Sequence, residues 1–453
     1  MPTVSSSDPE LFDIDHQRIT HILRDAKPLG QKGKVVEAFG TIIRVTGIRA
    51  RVGQQCLITD LENNHQIVAD VVGLSSGHAI LLPLGSLQGV AVDSEVVVLQ
   101  EHSTVPFGSA LLGRVLTGLG EPLDDRPLGG IVNEQPLYVD APSPMQRKPI
   151  DTIFSTGIRA IDSMLTVGVG QRMGIFAMAG GGKSTLLGML ARQAAADIIV
   201  IGLIGERGRE VREFIEHSLG EVGLARSVIV VATSDRPAVE RVRAAYTATA
   251  IAEGFRDQGK RVLLLMDSIT RFARALREIG LSVGEPAVRR GYPPSVFAEL
   301  PKLFERSGNN DKGTMTAFYT VLAEDEDGSD PIAEEVRSIL DGHIILSREL
   351  AQSGHYPAID VLASVSRVAN AIVTPIQRQD ANHIRSLMSE YKKIEFLLQV
   401  GEYKEGTDLL ADESIEKRNV IQALLQQNVD DAVDLESTLS AMREIGREAA
   451  IQK

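Results

Sequence analysis

A glycine-rich stretch that could bind phosphate lies between an apolar run and a helix-forming one. Its sequence is Ala177-Met178-Ala179-Gly180-Gly181-Gly182-Lys183-Ser184-Thr185. Glycines let successive backbone N–H groups turn inward around an anion, and the start of the following helix adds a partial positive charge. Lys183 would reach the β- and γ-phosphates of a nucleotide, and Ser184 would offer its hydroxyl to Mg²⁺. We predict a loop that contacts ATP through Ala179, Gly180, Gly181, Gly182, Lys183, Ser184 and Thr185, although Ala177 stands where such loops usually begin with glycine.

Two acidic residues follow apolar runs that have the character of buried strands. Glu206 comes shortly after the run 198–204, and Asp267 comes directly after the run 262–266. Because the carboxyl ends of parallel strands meet at one edge of a sheet, both carboxylates should face the glycine-rich loop. We predict that Asp267 is a second contact of Mg²⁺ and that Glu206 orients or deprotonates an attacking water. Taken alone, either residue is equally well explained as a solvated strand end or turn, and the nearby loop favours the functional interpretation.

Strands and helices alternate from Asp151 onward, which is the arrangement needed to bring these residues together. Apolar runs predict strands at 173–178, 198–204, 227–233, 261–266, 314–321, 343–346 and 359–363. One long helix is predicted between two of them, with Asp235 as its cap, Pro237 in its first turn and Gly259 just past its end. The alternation indicates an α/β fold, a P-loop (RecA-like) catalytic domain whose largely parallel sheet carries helices on both faces.

The segments on either side of this sheet have a different character. Residues 33–100 carry short β-branched runs separated by glycines, which predicts a small β-barrel. A Pro/Gly-rich stretch from Gly113 to Pro149 is interpreted as a segment that joins two domains. Beyond Ala369, apolar residues recur at helical spacing. The predicted domains are a mobile segment 1–30, a β-barrel 31–100, a P-loop domain 101–368 and a helical domain 369–453.

Composition narrows the classes of protein to which the chain can belong. The 453 residues carry a formal net charge of −13, which disfavours general attraction to nucleic acid. The one cysteine, Cys56, permits no disulfide within the chain, and the nine histidines form no spaced metal-binding motif. We find no signal-peptide pattern, and no apolar run approaches the ~20 residues of a membrane helix. We therefore expect a soluble, cytoplasmic protein whose metal arrives with a phosphate ligand.

Longer segments of the sequence resemble a known family. The segments GERGREV and GHYPAIDVLASVSRV, together with DSITRFARA and GYPPSVFAELPKLFERSG, look like those of type III secretion ATPases. That family includes the flagellar export ATPase and is similar to the catalytic subunit of rotary ATP synthases. The resemblance covers about residues 30 to 440. The stretch ATSDRPAVERVRAAYTATAIAEGFRDQGK looks closer to the virulence (injectisome) branch than to the flagellar one.

The resemblance implies roles for individual residues and for an assembly. Glu206 matches the catalytic glutamate, Arg207 a contact of the γ-phosphate, and Tyr356 a ring that packs on adenine. Arg367 matches an arginine finger that enters the neighbouring subunit's site, where a guanidinium can neutralise charge on the transferring phosphoryl group. The implied protein is a homohexamer that hydrolyses Mg-ATP to release chaperones and unfold export substrates. Its implied partners are chaperone–substrate complexes and the export apparatus's central stalk and peripheral stator, at the inner face of the cytoplasmic membrane, with only peripheral membrane contact and no nucleic acid.

Two other interpretations remain open at this stage. A hexameric nucleic-acid translocase, similar to the transcription-termination helicase, also combines a β-rich N-terminal domain with a P-loop core. The acidic balance and the scarcity of aromatic residues in 33–100 count against it, because single strands bind by stacking on aromatic rings. A nucleotide-binding but inactive ring subunit is disfavoured by a full set of reactive residues, Lys183, Glu206, Asp267 and Arg367.

Overall fold

The computed structural model describes residues 32–75, 77–100, 103–124, 126–130, 133–178, 180–322 and 330–447. The segment 1–30, predicted to be mobile, lies outside these residues. The chain divides into two compact units with the break near residue 101. The first unit contains a β-barrel, and the second contains a central sheet with the helices that follow it.

Six antiparallel strands form the barrel. They are β1 (Lys32–Phe39), β2 (Ile42–Thr46), β3 (Gln55–Thr59), β4 (Gln66–Ser75), β5 (His78–Pro83) and β6 (Glu95–Gln100). Their order around the closed barrel is β1-β2-β5-β4-β3-β6, and β6 pairs with both β1 and β3. Alternate residues point inward, so that Ile43 and Val45 are buried while Arg44 between them is exposed. The predicted small β-barrel is confirmed.

Eight strands make the central sheet of the second unit. After a separate pair formed by β7 (Thr104–Phe107) and β9 (Asn133–Pro136), the sheet strands are β8 (Arg114–Thr117), β10 (Arg172–Ala177), β11 (Ile198–Ile204), β12 (Ser227–Ala232), β13 (Arg261–Asp267), β14 (Thr314–Leu322), β15 (Gly342–Leu346) and β16 (Ile359–Ser366). Their order is β16-β15-β10-β14-β13-β11-β12-β8. Neighbouring strands are parallel except β15 and β16. The predicted largely parallel sheet is therefore confirmed.

Strand β8 corrects one expectation. It lies in the Pro/Gly-rich stretch that we interpreted as a joining segment, yet it pairs with β12 and forms an edge of the sheet. Arg114 is fixed there because its Nε and Nη2 atoms each donate to a carboxylate oxygen of Asp124 at 2.7 Å. Four residues between two glycines are too few to show a periodic pattern, and the partner strand begins only at Ser227.

Helices cover both faces of the sheet, as predicted. They are α1 (Arg159–Met164), α2 (Lys183–Gln193), α3 (Gly208–Glu213), α4 (Gly220–Ala225), α5 (Ala238–Asp257), α6 (Ile269–Ser282), α7 (Pro294–Glu305), α8 (Pro331–Ile339) and α9 (Arg348–Gln352), and a π-helical turn (Phe214–Leu219) joins α3 to α4. One apolar cluster contains residues of α5, α6 and α7, and a second contains residues of α1 and α2. The sheet therefore lies between two cores.

The start of α5 differs from the prediction. Pro237 is the N-cap residue rather than a member of the first turn, and no side chain caps the helix. Asp235 lies two residues before the N-cap, inside a turn in which the Arg236 N–H donates to the Thr233 carbonyl at 3.0 Å, and its side chain accepts from no N–H of the helix. The predicted cap is therefore wrong, whereas Gly259 does follow the helix, with a φ of +83°.

The C-terminal part of the described chain is helical, as predicted. Its helices are α10 (Ala369–Ile372), α11 (Pro375–Val400), α12 (Leu409–Leu425) and α13 (Leu435–Arg447). Thr374 caps α11 and Asp408 caps α12 through side-chain oxygens that accept from backbone N–H groups, and Gly401 ends α11 with a φ of +74°. No helix in the described part of the chain is both long enough and apolar enough to cross a membrane.

A buried ion pair joins α5 to the chain after α7. Arg306 and Glu253 are each only 2% exposed, and Arg306 Nε donates to Glu253 Oε1 at 2.9 Å. Arg306 Nη1 also donates to the carbonyl oxygen of Leu137 at 2.8 Å. The guanidinium thus has partners on two separate segments, and removing either partner would leave buried polar groups without compensation.

Glu253→Ala should therefore destabilise the protein strongly, because it leaves the Arg306 guanidinium buried without its counter-charge. We expect a loss of about 3–5 kcal/mol in the free energy of unfolding. The measurement is urea denaturation of the whole chain, followed by circular dichroism. Glu216→Ala is the matched control, because Glu216 pairs with Arg212 at 2.7 Å on an exposed surface and should leave the midpoint unchanged. Equal midpoints for the two variants would contradict the prediction.

Candidate functional site

The glycine-rich loop joins the end of β10 to the start of α2, at the carboxyl edge of the sheet. Gly180 and Gly182 both have a φ of +80°, a backbone conformation that favours glycine, and Gly182 is the N-cap residue of α2. A β-carbon on Gly180 would meet no atom within 4 Å, so this part of the loop borders open space. Among the predicted loop residues, Ala179 lies outside the described residues.

Lys183 lies between two acidic side chains. Its Nζ atom is 2.6 Å from Asp267 Oδ1 and 3.4 Å from Glu206 Oε1. Burial acts to lower the pKa of Lys183, but the negative charges of Asp267 and Glu206 outweigh that effect and raise it. The side chain is therefore a fixed cation. Lys183, Glu206 and Asp267 thus lie together in the structure, although Lys183 and Asp267 are 84 positions apart in the sequence.

Asp267 is held from a neighbouring strand. Thr320 of β14 donates its hydroxyl hydrogen to Asp267 Oδ1 at 2.7 Å, and that oxygen also faces Lys183 Nζ. The carboxylate is buried at the end of β13, where one oxygen thus has two partners. Sequence analysis did not identify Thr320, because a threonine inside an apolar run looks like any other strand residue.

Glu206 is buried just beyond the end of β11. Gly205 before it has a φ of +70°, and a β-carbon there would lie 2.9 Å from Cβ of Arg271. Burial raises the pKa of the Glu206 carboxyl, and the charge of Asp267 raises it further, while Lys183 acts in the opposite direction. A carboxylate with a raised pKa is a better proton acceptor near neutral pH than an ordinary one.

The residues around the loop fit a polyphosphate with a shared metal ion. The first N–H groups of α2 have no partner within the helix and no side-chain cap, and exposed Ser184 lies in this first turn. Beside Asp267, the buried atoms Ser268 Oγ and Arg271 Nε have no hydrogen-bond partner. Within the described ranges, no group of three or more His, Cys, Asp or Glu side chains could hold a metal ion. Ser184 and Asp267 do present side-chain oxygen atoms, the type of ligand that Mg²⁺ prefers.

Two other predicted residues lie at the rim of this site. The ring of Tyr356 packs over the loop, since a β-carbon on Gly182 would be 3.4 Å from its Cε1 atom, and the residue is 39% exposed. Such a partly exposed aromatic face is available to a nucleotide base. The side chain of Arg207 is 76% exposed, and its Nη1 lies 3.4 Å from Glu210 Oε1.

Arg367 does not belong to the same cluster. It follows β16, which is antiparallel, and its backbone N–H donates to Asp341 O at 2.9 Å beside the first residue of β15. The other end of β15, Leu346, lies 3.8 Å from a β-carbon placed on Gly181. Four strand steps of ~3.3 Å separate the two ends by about 13 Å. Arg367 is thus at the opposite edge of the sheet from the loop of its own chain.

Comparison with known proteins places this site in a defined class. Residues 157–366 match the model of the ATP synthase alpha/beta family, nucleotide-binding domain. The fold and the lysine–carboxylate cluster thus define an ATPase of that class. Residues 373–444 match the T3SS EscN ATPase C-terminal domain.

Whole-length relatives make the assignment more specific. The chain is 54% identical to the type 3 secretion system ATPase of Xanthomonas euvesicatoria, over 92% of this chain and 94% of that protein. It is 48% identical to the flagellum-specific ATP synthase of Bacillus subtilis, over 90% and 94%. The structure of the assembled ATPase EscN from enteropathogenic E. coli matches with a TM-score of 0.86 and 47% identity, over 91% of this chain and all of that one. The chain belongs to the family of type III secretion ATPases.

Lys183→Ala should abolish ATP hydrolysis without unfolding the protein, because it removes the ammonium group that lies between both carboxylates at the loop. We expect turnover to fall by at least ~10²-fold, measured as phosphate release, with an unchanged circular dichroism spectrum. The matched control is Lys302→Ala, which removes an exposed lysine that pairs with Glu299. Wild-type turnover by a folded Lys183→Ala protein would show that the site lies elsewhere.

Proposed function

We propose that this ATPase works as a homohexamer that hydrolyses Mg-ATP to energise protein export by a type III secretion system. The observation that carries the proposal is the position of Lys183 between Asp267 and Glu206 at the carboxyl edge of the sheet. Each of the three has a separate chemical task at a nucleotide's terminal phosphates. The arrangement therefore supports a complete hydrolytic site rather than an inactive ring subunit.

The backbone and side chains of the loop would bind the triphosphate. The N–H groups of Gly180, of Gly182 and of the first turn of α2, including Thr185, would donate to the phosphate oxygens. The Gly181 N–H, which donates to the Met178 carbonyl at 3.1 Å in this structure, would have to leave that partner to join them. Lys183 leaves the two carboxylates and pairs with the β- and γ-phosphates, which offer it more negative charge. Asp267 and Ser184 would hold Mg²⁺, with Thr320 keeping the Asp267 carboxylate oriented. A bound metal ion would neutralise negative charge on the phosphate oxygens.

Glu206 is the proposed base. Once Lys183 has turned to the phosphates, the Glu206 carboxylate is left beside the terminal phosphate, where it can orient a water molecule and accept its proton. Arg207 is the next residue along the chain, and a rotation of its exposed side chain would let it contact the γ-phosphate. Tyr356 offers its ring face to the adenine.

Arg367 is proposed to act on a neighbouring subunit. Its place at the sheet edge opposite its own loop fits a contribution in trans, and it excludes a contact with its own nucleotide in this conformation. The related EscN has been solved as an assembled ATPase, and also in complex with its central stalk EscO. We propose a hexamer with a stalk for this chain by that likeness.

The remaining proposals concern the cellular role. We favour the injectisome branch, since identity to the Xanthomonas type 3 secretion ATPase is 54% and to the Bacillus flagellar protein 48%; the flagellar export ATPase is the alternative. The proposed task is chaperone release and substrate unfolding at the cytoplasmic face of the membrane, with a peripheral stator.

We also propose that the four predicted segments, 1–30, 31–100, 101–368 and 369–453, act as separate functional parts. A nucleic-acid translocase is disfavoured by the net charge of −13.

Glu206→Gln should keep Mg-ATP binding while reducing kcat by ~10² or more, because the amide keeps the size of the side chain but cannot accept the proton. In the wild type, kcat/KM should fall as the pH drops through the raised pKa of Glu206, at a higher pH than for an ordinary carboxyl group. This acid limb should be absent in the variant. The control is Glu216→Gln on the exposed surface of the neighbouring π-helical turn. Loss of ATP binding together with turnover would make Glu206 a structural residue.

A mixture of Lys183→Ala and Arg367→Ala proteins should recover part of the activity that each lacks alone. Mixed rings contain some interfaces that pair an intact loop with an intact arginine, because the two residues come from different subunits. The recovery should appear only above the protein concentration at which rings assemble, measured by phosphate release and light scattering together. Wild-type activity of Arg367→Ala alone at that concentration would exclude the arginine finger.

A further inference from the structure

Gln427, just after α12, is a buried junction between the C-terminal helices and the nucleotide site. The residue is 4% exposed, although it lies in the loop that leads to α13. Its side-chain Oε1 accepts from the Arg159 N–H at 2.9 Å, at the start of α1. Its Nε2 donates to the carbonyls of Gly157 and Asp431, each at 2.8 Å. Both the oxygen and the nitrogen of the side-chain amide therefore have hydrogen-bond partners.

The same residue also reaches the elements that form the nucleotide site. Nε2 lies 3.4 Å from Oε1 of Gln193, the last residue of α2, whose first residue is Lys183. The backbone N–H of Gln427 donates to the carbonyl oxygen of Tyr356 at 2.9 Å. Gln427 thus contacts the last residue of α2 through its side chain and Tyr356 through its backbone N–H. The Tyr356 ring in turn lies beside Gly182 of the glycine loop at the start of α2.

We propose that Gln427 is a positioning residue that holds the Tyr356 ring at the distance from the loop that a purine base requires. This inference rests on the proposed function, in which Tyr356 contacts the adenine. Gln427 itself touches no nucleotide. Its side chain holds the backbone of residue 427 against the start of α1 and the end of α2. The backbone N–H of that residue in turn holds the carbonyl oxygen of Tyr356.

Glutamate is the most informative substitution at this position. It has the same length and shape as glutamine, but it replaces the Nε2 donor with an acceptor that faces two carbonyl oxygens. The result is repulsion where there were two hydrogen bonds, so the segment should shift and carry Tyr356 with it. The matched control is Gln426→Glu, because the neighbouring side chain is exposed and the change in charge is identical.

The test is a set of steady-state measurements on the whole chain. Gln427→Glu should raise KM for ATP by about three- to tenfold with little change in kcat, whereas Gln426→Glu should change neither. The inhibition constant of Mg-tripolyphosphate, which has no base, should stay at the wild-type value. A general loosening of the structure would instead weaken tripolyphosphate as well as ATP.

A double-substitution cycle separates this inference from the function on which it rests. Tyr356→Ala should raise KM, and adding Gln427→Glu to it should raise KM no further, because both act through one ring. An unchanged KM in Gln427→Glu would overturn the role of Gln427 while leaving the Tyr356 contact intact. So would a double variant whose increase in KM is the product of the two single increases. Unchanged KM in Tyr356→Ala would remove the base contact itself, and this inference with it. If Gln427→Glu does not fold, Gln427→Asn, one methylene shorter, takes its place with the same expectations.

Discussion

One buried ammonium group facing two carboxylates is the interaction on which the active site depends. Lys183 offsets the negative charges of both Asp267 and Glu206, which burial would otherwise make costly to keep ionised. The arrangement positions each of the three charged side chains by ion pairs that a bound nucleotide could replace. A polyphosphate competes for the lysine and thereby releases both carboxylates for their own roles. The side-chain atoms that form ion pairs with one another in this structure are thus the same atoms that would contact the nucleotide and its metal ion.

This cluster exists only because of the order of the sheet. Lys183 follows β10, Thr320 lies in β14, Asp267 ends β13 and Glu206 follows β11, and these strands are consecutive neighbours in the sheet. All four are parallel, so their carboxyl ends lie at one edge and the side chains converge. The two apolar cores on either side keep the strands in register, and Arg306 with Glu253 adds a buried polar link beneath α5.

The sequence was informative wherever a function depends on neighbours along the chain. The glycines before Lys183 identify a phosphate loop, and an acidic residue after an apolar run identifies a strand end at the active edge. Thr320 and Gln427 could not be found in this way, since their partners are distant in sequence and their residue types are common in strands and loops. The edge at which Arg367 lies depends on β16 running antiparallel, a property that its composition does not show. The cap of α5 was predicted wrongly because Asp235 belongs to a turn before the N-cap residue, which the sequence pattern does not distinguish from a cap.

The edge strand β8 has a consequence for the order in which the protein can be completed on the ribosome. All strands of the barrel lie before it in the chain, so the barrel can close as soon as its own residues have emerged. Strand β8 is made shortly afterwards, following β7, but its hydrogen-bonding partner β12 begins only at Ser227. During the synthesis of everything between them, including the phosphate loop, β8 remains an unpaired edge. Nascent chains that have emerged beyond Thr117 but not as far as Ser227 therefore carry all the strands of the barrel, followed by a strand whose partner has not yet emerged.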